Sequence, residues 1–147
     1  MLDTTARPDT PDQTQRRHAQ IARTRGGRFA EVLDLRLPVL IHRDRQNDAA
    51  LGRLVRLMAE DIGPEGFIRQ PQAIMGRPDS RPRLAGIGCP TLMLVSDSDE
   101  LTPPDRSAEI ASGIQGAHLV VVPDCGHLST LERPRQVTQA LVEWLQA

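Results

Sequence analysis

Lysine and tyrosine are absent from this 147-residue chain; all 18 basic residues are arginine, and aromatics make up only 2%. The all-arginine basic set reads as a signature of gene base composition rather than of function. With 19 acidic residues against 18 arginines, the formal charge is −1. That balance excludes a general electrostatic pull toward nucleic acid or an acidic membrane surface. Cysteine is scarce as well. Cys89 and Cys125 lie far apart and form no Cys-x-x-Cys pair, which excludes a disulfide framework and points to a reducing compartment. No apolar run approaches the length of a membrane span. The first thirty residues are polar and lack the apolar centre of a signal peptide. The expectation is a soluble cytoplasmic protein with no nucleic-acid or membrane partner.

Apolar residues make up 39% of the chain, enough for a true core. The length suits one modest domain or part of a larger one. Residues 1–10 read as the end of one element followed by a loop closed by Pro8 and Pro11. A polar helix is predicted from Asp12 to Arg25, ended by Gly26-Gly27. Its arginines, with Arg28, read as a solvated face rather than a phosphate patch. Phe29, Val32, Leu33 and Leu37 recur at helical spacing until Pro38 interrupts them. Leu51, Leu54, Val55, Met58, Ala59 and Ile62 form one apolar stripe, expected to pack within the helical region. Gly63-Pro64 should end that helix, and a further helix is predicted over 65–75. Phe67, Ile68 and Met75 are expected in the core, with the wall of a substrate pocket as the alternative.

The pattern changes at Thr91. "TLMLV" and "HLVVV" are short apolar runs with turn signals on both sides. Both are predicted to be fully buried strands of a parallel sheet. Between them Thr102 is expected to cap a helix whose inner stripe is Ser107, Ile110, Ala111 and Ile114, ending at Gly116. Val137, Ala140, Leu141, Trp144 and Leu145 stripe a last amphipathic helix. The final third therefore predicts strand–helix–strand–helix, with two parallel adjacent strands and a right-handed crossover.

In open α/β sheets, functional groups collect where strands end and helices begin. The first strand runs into Asp97 and Asp99, the second into Cys125-Gly126-His127. Adjacent parallel strands bring both loops to one edge, so His127 is expected to pair with one of these aspartates. In such a pair the carboxylate fixes the tautomer and leaves Nε2 free to take a proton from a nucleophile. His18, His42 and His118 are expected at the surface or at sheet edges. A metal site built from Cys125, His127, Asp97 and Asp99 is disfavoured, because "SDSDELTPP" lacks the glycine and final glutamate of a calcium loop. No metal or organic cofactor is called for.

The stretch from Cys89 to Leu145, with Asp99-Glu100-Leu101-Thr102-Pro103, Gly126-His127 and Glu132-Arg133-Pro134 in order, resembles the C-terminal segment of the α/β-hydrolase superfamily. Ser96 stands where that family carries glycine. The resemblance covers residues 88–147 and implies Asp99 as triad acid and His127 as triad base. Glu132 and Pro134 would open the last helix as cap and first turn. Asp97 falls out of register with the motif. Residues 11–88 resemble the helical cap that such proteins insert before the acid-bearing strand, and residues 1–10 resemble the end of the strand before the cap. The fold class implied is α/β: a partial α/β-hydrolase fold, a helical cap followed by a β-α-β-α unit over 89–147.

One family element is missing. None of the six serines (80, 96, 98, 107, 112 and 129) lies in a Gly-x-Ser-x-Gly elbow, the family's site for its nucleophile. The chain is therefore expected to be the C-terminal portion of a serine-type hydrolase of ester, lactone or similar carbonyl bonds, inactive alone. The expected partners are a small carbonyl substrate in the full-length context and a complementing chain or a second copy. A non-catalytic interaction module is the alternative. Two strands alone cannot cover their own edges, and the first strand is expected to expose one.

Overall fold

Residues Leu92–Ser96 form strand β1, and every side chain of it is buried. The computed structural model describes residues 1–146. β1 pairs in parallel with β2, His118–Val122, in the register Leu92↔His118 to Ser96↔Val122. Alternation along β1 sends successive side chains to opposite faces. Met93 packs with Ala6, Leu84, Ile110 and Ile114. Leu94 packs with Val122, Cys125, Val137 and Ala140 on the other face. Helix α4 (Pro104–Gly113) supplies Ile110 to the first cluster, and after the short helix α5 (Ser129–Glu132), helix α6 (Pro134–Gln146) supplies Val137 and Ala140 to the second. A central parallel strand covered on both faces explains why "TLMLV" reads as an uninterrupted apolar run.

The edge of β1 expected to be open is filled. The amino group of Met1 donates to the Leu92 carbonyl, Leu94 N donates to the Met1 carbonyl, and Asp3 N donates to the Leu94 carbonyl. Leu2 forms a parallel bridge with Leu94. Asp3 adopts a left-handed φ of 41°. Its carboxylate is held there by Ser96 N and the Ser129 hydroxyl. β1 is thus the middle of three aligned segments, and the outer strand is β2. That corrects the prediction of a second fully buried strand: Leu119 is 40% and Val121 49% exposed. Side chains alternate across the sheet, so Leu119 and Val121 share one face of β2, and that face is left uncovered.

The helices ahead of the sheet are α1 (Pro11–Arg25), α2 (Phe29–Leu40) and α3 (Ala49–Met75), which pack against one another. Thr10 caps α1 through a reciprocal pair with Gln13. Phe29 and Phe67 meet at a ring separation of 5.5 Å and close the interior of this layer. Phe67 and Ile68 are buried, as the core assignment expects. Pro38 does not end α2, which runs two residues further to Leu40. Near a helix C-terminus, a proline removes one hydrogen bond without stopping the turn. α3 is two helical stretches joined at a kink: Gly63, with φ 71° and ψ 171°, ends the first at the predicted position, and the second follows as expected.

The apolar stripe of α3 is not packed as expected. Leu51 is buried, but Leu54, Met58 and Ile62 are 43–49% exposed. Helical spacing identifies the face but not what lies opposite it. Among the described residues, no helix is long and apolar enough to cross a membrane.

Candidate active site

The register of β1 with β2 places Ser96 beside Val122, so the chain leaves both strands at the same end of the sheet. The two following loops are stitched together by main-chain bonds: Asp97 N donates to the Val122 carbonyl and Ser98 N to the Cys125 carbonyl. Asp97 then holds the second loop from below. Its carboxylate accepts from Asp124 N at 3.0 Å and Cys125 N at 3.2 Å. Burial raises the Asp97 pKa, but these two amides and the Ser98 hydroxyl outweigh it, and the carboxyl lies below its ordinary range. Asp97 is thus an anchor of the loop and makes no contact with the imidazole among these bonds.

Asp99 makes that contact. Its Oδ2 lies 2.8 Å from His127 Nδ1. The same oxygen accepts from the Thr102 hydroxyl at 2.7 Å, while Oδ1 accepts from Leu101 N at 2.8 Å and Thr102 N at 2.9 Å. Four donors satisfy a carboxylate whose side chain is fully buried, which is what a buried charge requires. Thr102 is therefore spent on Asp99 and does not cap α4, correcting the predicted cap. The cap position falls one residue later, at Pro103, and Pro104 opens the helix.

A carboxylate only accepts hydrogen bonds, so the proton between the two groups sits on His127 Nδ1 and leaves Nε2 with a free lone pair. Burial works to raise the Asp99 pKa, but the bonds from His127 and Thr102 prevail and hold it below the usual carboxylate value. The sign follows directly. The native state holds this carboxylate ionised more tightly than the unfolded chain, so its contribution is complete above about pH 4 and is lost as pH falls through the lower native value. Asp99→Asn is expected to flatten the acid limb of thermal stability against pH below about pH 4. An acid limb as steep in the variant as in the parent would show that other carboxylates carry it.

The His127 side chain is 24% exposed, and its hydrogen bond to Asp99 is made by Nδ1, not Nε2. Among the described residues, no serine or cysteine side chain hydrogen-bonds to it. Ser129, two positions away, donates to Asp3 instead. Cys125 is buried, and burial pushes its thiol up to about 11, so it stays protonated near neutral pH and is not a nucleophile. No three His, Cys, Asp or Glu side chains converge as a metal site among the described residues.

A sequence model of the alpha/beta hydrolase family matches residues 2–140. The chain belongs to the alpha/beta hydrolase family. Its fold agrees with solved members. A thermophilic esterase from Thermogutta terrifontis is 34% identical with a TM-score of 0.90, covering 99% of this chain and 54% of that one. An enol-lactonase from Burkholderia xenovorans LB400 is 26% identical with a TM-score of 0.87, covering 99% of this chain and 55% of that one. Among curated proteins, the 2-hydroxy-6-oxononadienedioate/2-hydroxy-6-oxononatrienedioate hydrolase of Escherichia coli O139:H28 is 31% identical over 94 residues, 63% of this chain and 33% of the relative. This alpha/beta hydrolase chain therefore spans about half the length of its solved relatives and a third of that curated one.

Two residues of this hydrolase chain sit elsewhere than expected. His42, assigned to the surface, is buried at 5% exposure, and its Nδ1 accepts from Asp44 N. Glu132, assigned as a helix cap, is buried at 4% exposure and reaches back to Gly126 N and His42 N. No local pattern marks His42 or shows the contacts of Glu132, which the resemblance placed only at the start of the last helix. The only nearby clue was Gly126 before the histidine. A Cβ there would lie 2.4 Å from His42 N, 2.8 Å from Glu132 Oε1 and 2.8 Å from the Ile41 carbonyl carbon. Two of those three atoms are backbone and cannot swing aside. Gly126→Ala is expected to destabilise the chain by about 2–3 kcal/mol and to displace His127. A thermal midpoint unchanged by the substitution would show that the loop has room.

Proposed function

We propose that this chain carries the acid and base of a serine-type hydrolase acting on ester, lactone or similar carbonyl bonds. Asp99 orients His127, and His127 Nε2 takes the proton of a serine hydroxyl as it attacks the carbonyl. The same histidine then returns the proton to the leaving group, while the buried carboxylate stabilises the imidazolium formed in between. The observation that carries the proposal is the 2.8 Å contact of His127 Nδ1 with a buried, four-times-bonded Asp99. An esterase and an enol-lactonase among the solved relatives, and a hydrolase among the curated ones, support the substrate class.

The serine itself is not within these residues, since none stands in a Gly-x-Ser-x-Gly elbow. The chain alone is therefore proposed to be inactive and to act with a serine-bearing segment. Joining it to a segment of a full-length alpha/beta hydrolase that carries a Gly-x-Ser-x-Gly elbow tests this. Turnover of a p-nitrophenyl ester by the joined protein, and not by this chain alone, is the expected result. Turnover that persists undiminished in His127→Ala would overturn the assignment.

A further inference from the structure

We propose that Glu132 is a positioning residue for the base: its carboxylate clamps the histidine loop to the turn that follows α2, and so sets where the His127 imidazole rests on Asp99. This rests on the assignment of Asp99 and His127 above. The clamp is complete on both sides. Oε1 accepts from Gly126 N, the residue before His127, at 2.9 Å, and Oε2 accepts from His42 N at 3.0 Å. The main-chain carbonyl of Glu132 takes Arg45 Nη1 at 2.8 Å, and Leu128 N donates to the Leu40 carbonyl at 3.3 Å. Gly126 lets the two segments approach so closely that no side chain would fit between them.

Other ways of satisfying this site are less demanding. A carboxylate nine-tenths or more buried is expensive to desolvate, and a helix start can be capped by an exposed serine or aspartate. Here the charge is placed so that each oxygen holds one main-chain N–H of a different segment. Asp97 holds Asp124 and Cys125 from the sheet side, and Glu132 holds Gly126 from the helical side. His127 leaves the loop just past these three amides, so its ring has little freedom except along the bond to Asp99. Displacements of about 1 Å at such a base are enough to lose catalysis. A second consequence follows. Movement of residues 41–45 reaches the histidine loop through this carboxylate and through the Arg45 bond to the Glu132 carbonyl, which couples the helical segment to the base.

The test uses nuclear magnetic resonance of the whole 147-residue chain. In the parent, the amides of Gly126 and His42 are both expected to be protected from exchange with solvent, because each is bonded to the buried carboxylate. Glu132→Gln keeps one acceptor and presents a donor to the other amide. It is expected to speed exchange of the His127 Nδ1 proton about tenfold and to move its resonance toward that of a free imidazole. Glu132→Asp, too short to span both amides, should do the same. Glu109→Gln, which loosens an ion pair with Arg7 away from the loop, should not. A Glu132→Gln protein that melts earlier but keeps the His127 Nδ1 signal and its exchange rate would reduce Glu132 to a fold staple and overturn the proposal. Exchange of the Gly126 and His42 amides at unprotected rates in the parent would overturn it without any variant. Absence of an Asp99-dependent Nδ1 proton in the parent would remove the pairing and the clamp's purpose together. By contrast, if the clamp behaves as expected while His127→Ala leaves the joined enzyme active, the assignment of the base fails, and Glu132 holds His127 in place without serving the chemistry.

Discussion

His127→Ala is expected to lower kcat of the joined enzyme on a p-nitrophenyl ester by about four orders of magnitude, with KM changed little. The reason is that Nε2 acts only as the proton moves, so removing it withdraws stabilisation from the transition state rather than from the bound substrate. Asp99→Asn should cost a similar factor. An amide in place of the carboxylate turns a donor toward His127, favours the tautomer with the proton on Nε2, and leaves no lone pair to accept the serine proton. Asp97→Asn is the informative control. Asp97 bonds main-chain amides and not the ring, so its loss should act through loop stability and reduce kcat by about tenfold or less. If Asp97→Asn proved the more damaging of the two, the acid would be Asp97 and the register of the motif would have misled.

Leu94→Ala is expected to remove about 3 kcal/mol of stability, seen as a fall of about 10 °C in the thermal midpoint. Leu94 has no exposed surface and lies at the middle of β1, in register with Val120 on one side and bridged to Leu2 on the other. Its side chain fills the face covered by Val137 and Ala140 of α6. Shortening it leaves a cavity that a central strand cannot collapse, because both of its edges are hydrogen-bonded. Leu145→Ala is the comparison: that side chain is 74% exposed, and its loss should change stability by less than about 0.5 kcal/mol. Equal losses from the two would mean that the sheet is not the stable centre of this chain.

Much of the fold was legible in the sequence because it is written in local periodicity. The strand at 92–96 lies between Pro90 and an acidic turn, α1 lies between proline and glycine punctuation, and α4 and α6 show their apolar stripes. The Asp99–His127 pair was legible too, through spacing along two predicted parallel strands and through the family resemblance. What failed were statements about surroundings. The stripe of α3 has the correct period but faces solvent at Leu54, Met58 and Ile62. "HLVVV" is as apolar as its neighbour, yet it lies at the outer edge of the sheet, where Leu119 and Val121 are uncovered.

The sequence by itself therefore determined the secondary elements, the class of fold, and an aspartate and a histidine at one end of two strands. Tertiary structure decided which aspartate meets the ring, with Asp99 on Nδ1 and Asp97 on the loop amides beneath it. It also decided that Met1–Asp3 occupies the open edge of β1, and that Glu132, 90 residues beyond His42, joins it to Gly126. The physical reason is the range of the interactions. Helix and strand patterns repeat over a few residues, whereas a buried carboxylate chooses its donors only after distant segments have been brought together by the core.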